Sequence, residues 1–133
     1  MSGDAVYLDT SAFLKLLVEE SGSSSLRARL PRWRQRASSS LLRTEALRAL
    51  RRSGQAQLAG SARRMFAGLH LIRLDEQILD RAGELEPDTL WSLDAIHLAS
   101  ALSVGSDLSA LITYDQRLAE AAMAYGITVE SPT

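Results

Sequence analysis

The sequence predicts an α/β fold in which helices cover both faces of a parallel sheet, and three observations carry that prediction. Short apolar, partly β-branched runs alternate along the chain with longer segments of helical periodicity, the pattern of βαβ units. At 133 residues the chain has the length of one domain, residues 1–133, and can bury a core without covalent staples. Acids stand where strands end, which is where open parallel sheets gather their ligands.

In chain order, Val6-Tyr7-Leu8 reads as a strand, and Thr10-Ser11 as the cap of a helix carrying Ala12, Phe13, Leu16 and Leu17 at helical spacing. Ser21 to Ser25 interrupts and caps a short helix over Leu26 to Leu30, ended by Pro31. A brief strand is expected at Arg36 to Ser40, then a helix from Leu41 to Arg52, capped by Ser39 or Ser40 and closed by Gly54. Gln55 to Phe66 is a weaker helix interrupted by Gly60, and His70 to Leu74 alternates like a strand. Asp75 starts a helix reaching Leu85, before the loop at Pro87. Behind Trp91 and a Ser92 cap, Ala95, Leu98, Ala99 and Leu102 mark a strong helix ended by Gly105. Ala110 to Thr113 is a strand, Asp115 to Tyr125 a helix closed by Gly126, and Ile127 to Val129 a last strand.

Composition narrows the chemistry. The absence of cysteine excludes disulfides and thiolate metal sites and fits an intracellular, cytoplasmic setting. Two histidines, His70 and His97, offer little nitrogen ligation, so a metal here would be held by oxygen. No apolar run of about 18 residues would cross a bilayer, and the N-terminus lacks the pattern of a signal peptide. Net charge is only −1, yet Arg27 to Arg64 holds eleven arginines against one acid, Glu45. That asymmetry suggests a basic surface for a polyanion beside an acidic cluster, and a solvated arginine face is the plainer alternative.

Four acids and one hydroxyl are the candidate site. Glu45 has Leu41 and Ala49 one turn away on the same side of its helix, so its carboxylate needs a salt bridge, a raised pKa or a metal. Asp94 follows a helix start and Asp115 a strand end; each also suits an ordinary helix N-terminus. Asp9 ends a strand before the Thr-Ser pair. Converging, the four would repel one another and demand a hard cation, Mg²⁺ or Mn²⁺, with the Thr113 hydroxyl ordering a water. Carboxylate-bound ions of this kind recur in phosphodiester hydrolysis. His97 reads as a helix residue pairing with its surroundings ahead of a ligand, and Trp33 as a packed anchor ahead of a base-stacking platform. Met65-Phe66 and Met123 read as core or interface.

In order and spacing, "YLDTSAFLKLL", "LLRTEALRAL", "SLDAIHLASAL" and "LITYDQRLAEAAMAYGI" together resemble the PIN-domain nucleases, more closely the VapC-type toxins of toxin-antitoxin modules. The resemblance implies a three-layer α/β/α sandwich with a central parallel sheet. It implies that Asp9, Glu45, Asp94 and Asp115 are the metal-binding acids, with Thr113 in support. It further implies a Mg²⁺- or Mn²⁺-dependent endoribonuclease acting on structured RNA such as tRNA or rRNA. A homodimer and a cognate VapB-type antitoxin are expected, with the apolar residues between Leu41 and Phe66 a natural dimer surface.

Three rivals are weighed beside it. A receiver-type signalling domain needs a lysine at a late strand end, whereas the single lysine, Lys15, lies in the first helix. An aspartyl-phosphate phosphatase at Asp9 would want an acid where Ser11 stands. An RNA- or partner-binding module of the same fold without nuclease activity is the third.

Overall fold

The computed structural model describes residues 3–133. Its elements are β1 (Ala5–Leu8), α1 (Thr10–Leu17), α2 (Ser23–Arg29), β2 (Gln35–Ser39), α3 (Leu42–Arg52), α4 (Ala59–Phe66), β3 (His70–Ile72), α5 (Glu76–Glu84), α6 (Ser92–Ser103), β4 (Leu108–Ile112), α7 (Gln116–Ala124) and β5 (Val129–Glu130). Every strand pairing is parallel, and the sheet order is β3-β2-β1-β4-β5. The chain therefore builds outward from β1 in one direction, then restarts on its other side with β4. That reversal lies between β1 and β4, and it opens the crevice where such sheets hold ligands.

Alternation along the strands sorts the helices into layers. Val6 and Leu8 of β1, with Ala110 and Ile112 of β4, pack under α1 and α2 through Ala12, Leu26 and Leu30. Tyr7, Ala37 and Leu111 point the other way, into Ile78, Leu98 and Leu118 of α5, α6 and α7. The result is the expected three-layer α/β/α sandwich. On the first side α3 and α4 form a further cluster with α1, in which Phe13 and Phe66 stack with ring centroids 5.2 Å apart.

Several local readings are corrected. Thr10 and Ser11 lie inside α1, and the cap is Asp9, whose side chain accepts from the Ala12 N–H. The second helix starts earlier, at Ser23, whose hydroxyl is tied to the Lys15 and Val18 carbonyls. Pro31 sits in a 3₁₀ turn, Leu30–Arg32, that continues that helix rather than stopping it. Gly60 is inside α4, and the irregularity falls just before it, in a 3₁₀ turn at Ala56–Leu58. At α6 the capping residue is Trp91, with no side-chain cap bond from Ser92. Gly54 does close α3, at φ +75°, a conformation costly for any residue with a Cβ.

The exposed apolar residues expected between Leu41 and Phe66 are not found there. The exposed large apolar side chains are Leu79, Trp91, Leu93, Met123 and Tyr125, on and around α5, α6 and α7, whereas those between Leu41 and Phe66 are buried or half-buried. Trp33 is buried with the Arg29 guanidinium 5.5 Å from its ring, as a packed anchor. Among the described residues no helix is long and apolar enough to cross a membrane.

Candidate active site

β1 and β4 are the two central strands that flank the crevice, and each delivers an aspartate to its carboxyl end. Asp9, directly after β1, is buried. Its Oδ1 accepts from the Ala12 N–H at 2.9 Å and the Ser11 hydroxyl at 2.6 Å, and its Oδ2 from the Thr113 hydroxyl. Burial pushes the Asp9 carboxyl above the usual carboxylate range even though these donors pull it down. Asp115, two residues past β4's last neighbour Thr113, caps α7: its Oδ1 accepts from the N–H groups of Arg117 and Leu118, leaving Oδ2 outside the cap.

Thr113 joins the two acids. Fully buried, it donates to Asp9 and accepts from the Asp115 N–H at 3.0 Å. The hydroxyl thus acts on Asp9 directly, and the backbone after β4 brings the Asp115 N–H back onto it. Ser11 makes a second bridge, accepting from the Tyr114 N–H at 2.9 Å.

Glu45 arrives from α3. Its Oε1 accepts from the Thr10 hydroxyl at 2.6 Å and from His97 Nε2 at 2.7 Å, and the other ring nitrogen meets the Tyr7 hydroxyl at 2.8 Å. Burial raises the Glu45 carboxyl, but the bond and attraction of His97 and the Thr10 hydroxyl outweigh it and leave it below its ordinary value. The salt-bridge partner expected for Glu45 is thus an imidazole. Arg43 and Arg48, on the same helix, are exposed on its outer side. His97 is buried in the core, at 2 % exposure, between Glu45 and the phenol of Tyr7, which burial holds neutral by raising it far above its usual range.

Asp94 stands in the first turn of α6, one turn before His97. Among the described residues no protein group donates to its carboxylate and no arginine or lysine pairs with it. Its pKa is raised to about 6, first by burial and then by the charge of Asp115; Asp9 and Glu45 push the same way while His97 opposes them. The fold therefore brings Asp9, Glu45 and Asp115 within electrostatic reach of Asp94. It does not draw any three of the described His, Asp or Glu side chains into a finished metal-ligand cluster.

Thr10 and Ser11, which hold the acids, and Tyr7, which holds His97, were not legible as site residues, since each is an ordinary strand or helix residue until the elements pack; His97, read as pairing with its surroundings, does so with Glu45 and Tyr7. Lys15, the residue a receiver domain would need near the acids, binds the Ser21 carbonyl at 2.7 Å and lies over the Tyr114 ring.

The family model described as "PIN domain" matches residues 6–123. Ribonuclease VapC46 of Mycobacterium tuberculosis (strain ATCC 25618 / H37Rv) is 48 % identical over 130 residues, covering 97 % of this chain and 98 % of that protein. The crystal structure of Mycobacterium tuberculosis VapC20, described as a sarcin-ricin loop cleaving toxin, superposes with a TM-score of 0.74 at 14 % identity, over 87 % of this chain and 94 % of that one. A toxin-antitoxin complex from Klebsiella pneumoniae contains a chain with a TM-score of 0.71 at 24 % identity, over 96 % of this chain and 98 % of that one. Fold and sequence agree from β1 to α7: this chain belongs to the PIN-domain family, among its VapC-type members.

Proposed function

We propose that residues 1–133 make up one PIN domain that works in the cytoplasm as an endoribonuclease toxin, hydrolysing phosphodiester bonds of structured RNA such as tRNA or rRNA, and that a cognate VapB-type antitoxin neutralises it. The observation that carries this reading is Asp94, a half-buried carboxyl without a protein donor or cation, raised to about 6 by burial and by the acids around it. Such a group wants a positive ion. The relative of 48 % identity is named a ribonuclease, and one structural neighbour is a toxin-antitoxin complex. A homodimer is part of the same proposal.

The donors suit a hard divalent ion, Mg²⁺ with Mn²⁺ as substitute: all four are carboxylates, and the chain has no cysteine. Asp9, Glu45, Asp94 and Asp115 would hold it, and the loose grouping fits an ion that keeps several of its waters. When bound, the ion activates water and offsets the charge that builds on the phosphoryl group. The chain's own contribution is orientation. Thr113 and Ser11 hold the Asp9 carboxylate, Thr10 and His97 hold Glu45, and the α7 cap turns the free oxygen of Asp115 outward from the helix end. Nine of the eleven arginines between Arg27 and Arg64 are exposed and would contact the RNA backbone.

Incubating purified protein with total RNA, with and without chelator and beside Asp94→Asn, tests the proposal. Fragments are expected only from wild type with Mg²⁺ or Mn²⁺; cleavage that persists in chelator and in the variant would remove the mechanism. Sequencing the 5′ ends of fragments then identifies the RNA.

A further inference from the structure

Three residues before Asp94 stands Trp91, the most exposed large hydrophobic side chain described, at 69 %. A tryptophan so open leaves its apolar surface in water, and nothing in the local fold asks for it: as N-cap of α6 it makes no side-chain cap bond. It is nevertheless held. The Arg117 guanidinium lies 5.2 Å from the ring centroid, pinning the indole while leaving most of it to solvent.

The position of this pair matters more than its chemistry. The Trp91 carbonyl accepts from the Ala95 N–H, so Asp94 lies within the same helical turn, and the Arg117 N–H donates to Asp115 Oδ1. Trp91 therefore lies in the same helical turn as Asp94, and the Arg117 backbone is bonded to Asp115. Beside them opens a cavity of about 740 Å³ lined by Leu90, Trp91, Arg117, Glu120 and Ala121, which is in the range that takes a nucleotide-sized group. Glu120, on the same wall, disfavours a phosphate there and can accept from an exocyclic amino group.

We propose that Trp91, held by Arg117, is the platform on which a nucleobase next to the scissile phosphate stacks, which makes it a specificity-determining residue of the ribonuclease. The inference rests on the ribonuclease reading and deepens it. A strand whose phosphate reaches Asp94 and Asp115 can lay a neighbouring base on the indole one helical turn away, and an RNA strand matches both the flat aromatic face and the cationic edge of Arg117. Splayed bases stack on such surfaces with energies of roughly 1–3 kcal/mol each.

Intrinsic fluorescence tests it cleanly, because Trp33, the other tryptophan, is buried at 4 % exposure. Full-length protein is titrated in chelator, so that no strand is cut, with short single-stranded adenine and uracil homopolymers of RNA. Binding is expected to quench the red-shifted Trp91 emission. Trp91→Ala should weaken binding about tenfold or more, Trp91→Phe should restore most of it, and both should melt with wild type, since the side chain is exposed. Unchanged RNA affinity in Trp91→Ala, with total RNA still cleaved by wild type in Mg²⁺, overturns the stacking role alone. Unchanged affinity together with a smaller sedimenting species would assign the indole to contact with a second copy and overturn it as well. If wild type neither binds these RNAs nor cleaves total RNA, the ribonuclease reading falls and takes the inference with it.

Discussion

Two aspartates in this chain are built the same way and sit in different surroundings. Asp9 and Asp75 each follow a strand and cap the next helix, accepting from the N–H three residues on, both at 2.9 Å. Asp75 follows β3, at the edge of the sheet, and is exposed. Asp9 follows β1, in the middle, and is buried against Thr113 and Ser11. Asp115, after β4, is the third of the set. Capping chemistry therefore says nothing about a site; the place of the preceding strand in the sheet order does, because only β1 and β4 flank the reversal.

The comparison can be broken most decisively through activity. Asp9→Asn or Asp94→Asn should lower RNA cleavage by two orders of magnitude or more, about 2.7 kcal/mol of barrier, while Asp75→Asn should stay within about twofold of wild type in a gel assay on total RNA. A large loss in Asp75→Asn would refute the distinction between edge and centre.

Metal sharpens it next. Mg²⁺ or Mn²⁺ added to chelator-treated protein should raise the melting temperature by on the order of 5 °C, since an ion that binds only the folded state stabilises it. The gain should persist in Asp75→Asn and shrink in Asp94→Asn.

A smaller effect follows from pH. In the folded chain Asp94 titrates near 6 against an ordinary 3.8, so the fold favours its protonated form. Its charge therefore destabilises the metal-free protein above about pH 6, and that cost is relieved as pH falls through 6 toward 4. The stability difference between Asp94→Asn and wild type in chelator should thus be on the order of 1–2 kcal/mol at pH 7, allowing for solvent screening, and close to nil near pH 4. Chemical denaturation at the two pH values measures it; a difference independent of pH would contradict the repulsion.

Smallest is the cost of the cap by itself. Asp75→Ala should lose about 1 kcal/mol of stability, seen in a melt, with cleavage unaffected.

Much of the fold was legible because each element carries its own signal. Helical periodicity and punctuation located α3, α5, α6 and α7 to within a few residues, and apolar runs located β1 and β4, whereas β2, reading QRASS, carries no such run. The misplaced caps have one cause. Thr10, Ser11 and Ser92 have the right side chains for capping, but where each helix starts is settled by the backbone leaving the sheet or loop, which makes Asp9 and Trp91 the caps. The four acids could be named from their positions, yet what holds them could not. His97 meets Glu45 across 52 residues and Thr113 meets Asp9 across 104, distances over which no local pattern speaks.

By itself, then, the sequence determined the alternation of strands and helices, the burial of the strands on both faces and which acids end strands or open helices, since these depend on composition and short-range spacing. Only the tertiary structure decided which acids come near Asp94. Sheet order is a long-range property, and in a parallel sheet it is the order that places two strand ends side by side and sends the third to the edge.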